Sequence, residues 1–141
     1  MSKPAVTRDI MITNVITCHE DDTLGLARKL MKDHNIRHIP VVDKDSGDFI
    51  GLVTQKAVLR EMMIVADHFG MDDLERQEKK KKVGELMETG VETIQPQLSL
   101  LEAGQYFIDC KHGCLPVLEG GKIVGILTSA DFVKLSVALL K

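Results

Sequence analysis

The sequence predicts an α+β fold: two tandem copies of one β-α-β-β-α unit, packed pseudo-symmetrically through their sheets. Three observations carry that expectation. First, the chain repeats itself: shifted by 76 residues, Thr7–Asp43 falls on Val83–Glu119 without a gap. In that register Met11 meets Met87, Thr17 meets Thr93, Leu24 meets Leu100, Ala27 meets Ala103, and Pro40-Val41 meets Pro116-Val117. Past that point the second copy is two residues shorter, and Gly51–Thr54 falls on Gly125–Thr128. Second, each copy carries the same sequence of periodicities, extended and then helical. Third, a unit this small buries too little surface to stand alone, so the two copies are expected to share a core.

Each copy opens with a short extended segment, Val15–Cys18 or Val91–Ile94, followed by an amphipathic helix. Leu24, Ala27, Leu30 and Met31 share one helical face in the first copy, and Leu100, Ala103, Tyr106 and Phe107 do so in the second. Ser99 with Glu102 has the spacing of a capping box. A strand follows (Ile39–Val42; Leu115–Leu118), then a glycine-bearing turn and a second strand (Phe49–Val53; Ile123–Leu127). The last helix of each copy is opened by Thr54 or Thr128. Domain bounds of 7–66 and 83–141 follow, with 67–82 between them. There Gly70 breaks the helix, and "MDDLERQEKKKK" places acids first and lysines last, as a helix dipole favours. This stretch is expected to be a solvated linker helix.

Composition narrows the function classes. The chain has a net charge of -3 and four Phe, one Tyr and no Trp. Neither a global basic field nor a set of stacking rings is available for nucleic acid. No apolar run reaches the roughly 20 residues that span a bilayer, and the first residues lack a signal-peptide core. Three cysteines, an odd number, suit a reducing compartment better than a disulfide scaffold. The expected location is cytoplasmic.

The chemistry gathers at the two Thr-opened helices. Thr128 and Asp131 have the spacing of an N-cap with an acid at N3, which stabilises a helix start by about 1 kcal/mol. The same pair could hold a ligand, and the residues by themselves leave both readings open. The first copy keeps Thr54 but carries Ala57 in place of the acid. It carries cations instead: Arg37 and His38 directly precede the strand "IPVV", and Lys56 lies in the first turn after Thr54. Their counterparts are Gly113, Cys114 and Ala130, all uncharged. Arg, His and Lys beside a helix N-terminus suit an anion, because N–H groups and dipole add to side-chain charge. A carboxylate suits a ribose diol rather than a phosphate. Together they describe a nucleotide.

The duplicated "IPVVD…G…GLVT" and "LPVLEGGKIVGILTSAD", each preceded by matched Met, Thr, Leu and Ala landmarks, strongly resemble a tandem CBS-domain (cystathionine β-synthase domain) pair over nearly the whole chain. That resemblance implies two clefts that often take adenosine-containing ligands, with no catalytic residues. It places the ribose at the Thr-x-x-Asp motif and the phosphate at the residues before the "PV" strand of the partner repeat. An adenylate-sensing branch of the family carries adjacent His and Arg there, with a Lys two residues after the helix-opening Thr. This sequence matches it position for position, with Arg37-His38 in swapped order. The family's adenine contact, largely to backbone of the first strand of the same repeat, falls on Val15 and Ile16. One competent site per chain is therefore expected, from Asp131, Thr128, Arg37, His38, Lys56, Val15 and Ile16. The second cleft, with Thr54, Ala57, Gly113 and Cys114, is expected to be weak or empty.

The implied protein is a stand-alone, non-enzymatic regulatory module that takes AMP, ADP or ATP and forms a homodimer, with an unknown regulated partner, no membrane and no metal. The cations disfavour S-adenosylmethionine, whose sulfonium is itself positive, although that ligand or NAD remains an alternative. A ligand-free scaffold is a second alternative, and nucleic-acid binding through "EKKKK" a third. Cys110, His112 and Cys114 lack a usual zinc spacing, and the two cysteines read as buried free thiols.

Overall fold

The structure is a computed structural model that describes residues 3–110 and 113–141. The chain divides into two compact units that do not coincide with the two sequence copies. The central unit is Ile16–Val91; the terminal unit joins the residues up to Val15 with those from Glu92 onward.

In the central unit, β1 (Cys18–His19) pairs in parallel with β2 (His38–Val42), which pairs antiparallel with β3 (Phe49–Thr54). Helix α1 (Leu24–His34) starts at Thr23, whose Oγ1 accepts the Leu26 N–H at 3.1 Å, and ends at Asn35 in the left-handed region. It buries Leu24, Ala27 and Met31, the face its spacing indicated. Helix α2 (Gln55–Phe69) runs directly out of β3. Leu24, Ile39, Val41, Val53 and Val58 make the center of this core, each at most 1% exposed. Full burial of each of the larger ones stabilises the fold by about 1.5–3 kcal/mol.

The terminal unit repeats the arrangement with α4 (Leu100–Cys110), the hairpin β4 (Cys114–Glu119) and β5 (Lys122–Thr128), and α5 (Ser129–Leu140). Ile94 makes a single parallel bridge to Val117 where the central unit has β1. Both hairpins carry an irregularity at the same place, between Val41 and Val42 and between Val117 and Leu118.

Each unit is completed by the opening arm of the other sequence copy. In the terminal unit, Ile12 exchanges two backbone hydrogen bonds with Ile126, at 2.8 and 2.9 Å. In the central unit Glu88 does the same with Leu52, at 2.9 and 2.8 Å. A methionine seats each arm against a strand glycine that has no side chain to block it. A Cβ on Gly125 would lie 2.6 Å from Met11 Sδ, and one on Gly51 would lie 2.7 Å from Met87 Sδ. Thr7 is fully buried, its hydroxyl donating to the Leu98 carbonyl at 2.9 Å.

Two expectations are corrected here. Residues 67–82 do not form one helix: α2 ends at Phe69, Gly70 turns the chain at φ 81°, and after the turn Met71–Asp73 helix α3 covers only Leu74–Glu78. Nor is the stretch wholly solvated, since Gln77 and Glu78 are buried. The opening strands are also shorter than their composition suggested. Val15 and Ile16 lie outside any strand, because the ladder with β2 begins only at Cys18.

Candidate functional site

The central unit gathers the predicted cations at one end of its hairpin. His38 pairs with Thr54 in the β2–β3 register, and the Gln55 N–H donates to the Arg37 carbonyl at 2.8 Å. Those contacts bring the residues preceding β2 beside the first turn of α2. Thr54 caps that turn, its Oγ1 accepting the Ala57 N–H at 3.1 Å. Lys56, in the same turn, is exposed, as is Arg37. An exposed guanidinium and an exposed ammonium beside the positive end of a helix are groups that bind an anion.

His38 is half-buried. Burial, reinforced by the positive charge of Arg37, pushes its imidazole below the usual histidine value, and Glu88 partly offsets this. The ring is accordingly neutral at pH 7, with one N–H to donate, and the charge of an incoming anion would draw a second proton onto it.

The terminal unit presents the same frame with different chemistry. Cys114 pairs with Thr128 as His38 does with Thr54, and the Ser129 N–H donates to the Gly113 carbonyl at 3.4 Å. The cap is now reciprocal. Thr128 Oγ1 accepts the Asp131 N–H at 3.3 Å, while Asp131 Oδ2 accepts the Thr128 N–H at 2.8 Å and the Thr128 hydroxyl at 3.0 Å. Asp131 is only 7% exposed. The capping reading of the Thr-x-x-Asp motif is therefore realised in full here, whereas Ala57 leaves the central cap one-sided.

Of the remaining predicted residues, Val15 and Ile16 are half-buried positions outside any strand, at the division between the terminal unit and the central one. Cys114 is a buried free thiol, as expected, and Cys18 is another, but Cys110, expected to be buried, is exposed. Burial, and secondly the charge of Asp131, pushes the Cys114 thiol up to about 12; burial and then Asp22 push Cys18 up to about 11. Neither is a thiolate at neutral pH, so neither is a ready nucleophile or metal ligand. His112 lies outside the described residues, and among those described no three His, Cys, Asp or Glu side chains converge. The terminal unit has a hollow of about 610 Å³ bordered by Thr93, Gln97, Tyr106 and Gly120. It sits toward the β4–β5 turn, at the far end of β5 from Thr128, and contains none of the predicted residues.

The CBS-domain family model matches the chain twice, over residues 6–64 and 83–138. The chain is a CBS-domain pair. No catalytic domain is evident in the rest of it, and among the described residues no helix is long and apolar enough to cross a membrane. MJ1404 of Methanocaldococcus jannaschii is 32% identical over 95% of the chain, which spans 32% of that protein's length. The AcuB protein of Vibrio cholerae is 31% identical with a TM-score of 0.81, over 97% of this chain and 93% of that one. The CBS pair of protein MJ0100, solved in complex with 5'-methylthioadenosine and S-adenosyl-L-methionine, is 25% identical (TM-score 0.74; 93% and 98% covered). CBSX2, solved with AMP, is 21% identical and shares the fold (TM-score 0.77; 96% and 98% covered). Adenosyl ligands are thus found on pairs of this fold.

Sequence reasoning missed one buried contact. Glu78 belongs to the "EKKKK" run that reads as solvated, yet it is buried against Arg28. Its pattern gives no warning, because the partner lies fifty residues away.

Proposed function

We propose that this CBS pair is a regulatory module that binds AMP, ADP or ATP at one site per chain and acts as an energy or metabolite sensor. The observation that carries the reading is the group Arg37, His38 and Lys56 beside the α2 N-terminus, set against uncharged Gly113, Cys114 and Ala130 in the same frame of the other unit. In this reading the three cations take the phosphates, Asp131 and Thr128 take the ribose, and backbone at Val15 and Ile16 meets the adenine. Assembly as a homodimer is part of the proposal. It is supported by equivalent apolar residues left exposed on the last helix of each unit: Leu59 and Met63 on α2, Val133 and Val137 on α5.

Calorimetry with AMP, ADP, ATP, NAD and S-adenosylmethionine tests the reading. A phosphorylated ligand should bind wild type, and Asp131→Ala should lose it. Lys56→Ala should weaken that ligand by about 1–3 kcal/mol, as removal of a charge-assisted hydrogen bond does, while sparing adenosine. If none of the five binds, the nucleotide reading fails; if Asp131→Ala binds as tightly as wild type, the ribose assignment fails. A second reading, S-adenosylmethionine, draws on the ligands of the MJ0100 pair, and tighter binding of it than of any nucleotide would favour it. Light scattering at several protein concentrations checks the dimer, and a monomer at all of them would remove it.

A further inference from the structure

Helix α3 is five residues long, below the length at which a helix holds itself in water. Something outside it must hold it. Glu78, 5% exposed, places Oε1 at 2.8 Å from Arg28 Nε and accepts from Arg28 Nη2 at 2.9 Å through Oε2. That two-point, fork-to-fork pair is the strong geometry for an ion pair, and breaking it strands a buried carboxylate.

Helix α1 is shaped for this contact. A Cβ on Gly25 would already lie 3.4 Å from Glu78 Cβ and 3.7 Å from the Glu78 carbonyl oxygen, so a larger side chain there would meet α3. In α4 the equivalent position is Leu101, 83% exposed, and the position equivalent to Arg28 is Gly104. A leucine is therefore compatible with this helix position when no segment lies across it. The seat is also loosely filled: a groove of about 750 Å³ remains open among Lys29, Lys32, Met71 and Leu74. Packing here is incomplete, so the ion pair and the Gly25 notch hold the segment together with buried Gln77 and, just beyond it, the Leu24 N–H bond to the Lys81 carbonyl at 2.9 Å and the Lys81–Glu61 pair at 3.4 Å.

We propose that residues 71–79 form a releasable strap across α1, seated in the notch at Gly25 and latched by the Arg28–Glu78 pair. Gly70, in a φ-positive conformation, is its hinge. When the strap lifts, it bares Gly25 on α1, the position that α4 leaves exposed as Leu101. This device does not depend on which ligand the pair binds.

Two variants attack the latch by different physics: Glu78→Gln removes the charge, and Gly25→Leu fills the notch with the residue that α4 carries. Lysines 79–82 at the strap's end make limited trypsin digestion a direct readout, since cleavage tracks the open population when closing is fast. Both variants should be cut there about tenfold faster than wild type. Deuterium uptake should rise over 71–82 and the outer face of α1, with protection of β2 and β3 retained. Cleavage of both variants at the wild-type rate would overturn the proposal. So would faster cleavage accompanied by equal loss of protection in β2 and β3, which would mean the segment opens only with the whole unit. Should Gly25→Leu fail to fold, Glu78→Gln decides by itself.

Discussion

The central and terminal units share a hairpin, an irregularity at one register position, a threonine-capped helix and a methionine-seated arm, yet they present opposite chemistry at the cap. The central unit shows Arg37, His38 and Lys56 there with a one-sided cap. The terminal unit shows no cation in those positions and a buried carboxylate in a reciprocal cap. Duplication supplied the frame twice, and divergence divided the charges between the copies. Residues that build the frame are constrained by packing and kept their identity. At the cap end the central unit exposes Arg37 and Lys56, whereas the terminal unit buries Cys114 and Asp131. The helices before the hairpins differ too: segment 71–79 lies across α1 at Gly25, where α4 carries exposed Leu101.

If the frame is common to both units, damage to it should be equal in each. Gly125→Ala and Gly51→Ala place a methyl within 3.0 Å of a backbone carbonyl, that of Ile12 or Glu88, as well as against the methionine sulfur. Each should cost about 1–3 kcal/mol by overpacking, and urea midpoints should fall by similar amounts. A large inequality would break the equivalence of the two arms. The caps, by contrast, should differ. Asp131→Ala should lower stability by about 1–2 kcal/mol, since it removes one half of a reciprocal cap. Ala57→Asp should do the reverse in the central unit, adding about 0.5–1 kcal/mol by completing the pair with Thr54. Failure of Ala57→Asp to raise the melting temperature would mean the units differ in more than that side chain.

The smallest effect concerns His38. Its folded-state value lies below the unfolded one, so the unfolded chain binds more protons in that range. Stability contributed by the neutral ring is present above the ordinary histidine value of 6.5 and is lost as pH falls below it. His38→Gln should flatten the decline in urea midpoint between pH 7.5 and 5. An unchanged slope would place the titration elsewhere. If the phosphate assignment is correct, wild-type affinity for AMP should rise over the same interval, because the anion favours the charged ring.

Much of this was legible in the residues. Periodicity and the 76-residue register located both hairpins and the helices α1, α2, α4 and α5, because strand alternation and helical faces are local consequences of burial on one side. Thr54, Thr128 and Asp131 were legible as caps because a cap is satisfied within one turn. The opening strands were overextended to Val15 and Val91, since an extended apolar segment does not reveal whether a neighbour is present to complete a ladder. The linker was misread as one solvated helix. Charge order along a chain reports the helix dipole and gives no sign that Glu78 has a buried partner on α1.

The sequence by itself determined the duplication, the order of elements, the family and the unequal distribution of acid and cations, all of which are properties of residue type and spacing. Only the tertiary structure decided that each compact unit borrows its opening arm from the other copy, that Asp131 is held by Thr128 from both sides, and that Glu78 closes on Arg28. Those depend on which distant backbone edges and charges come within hydrogen-bond reach, and no local pattern encodes that distance.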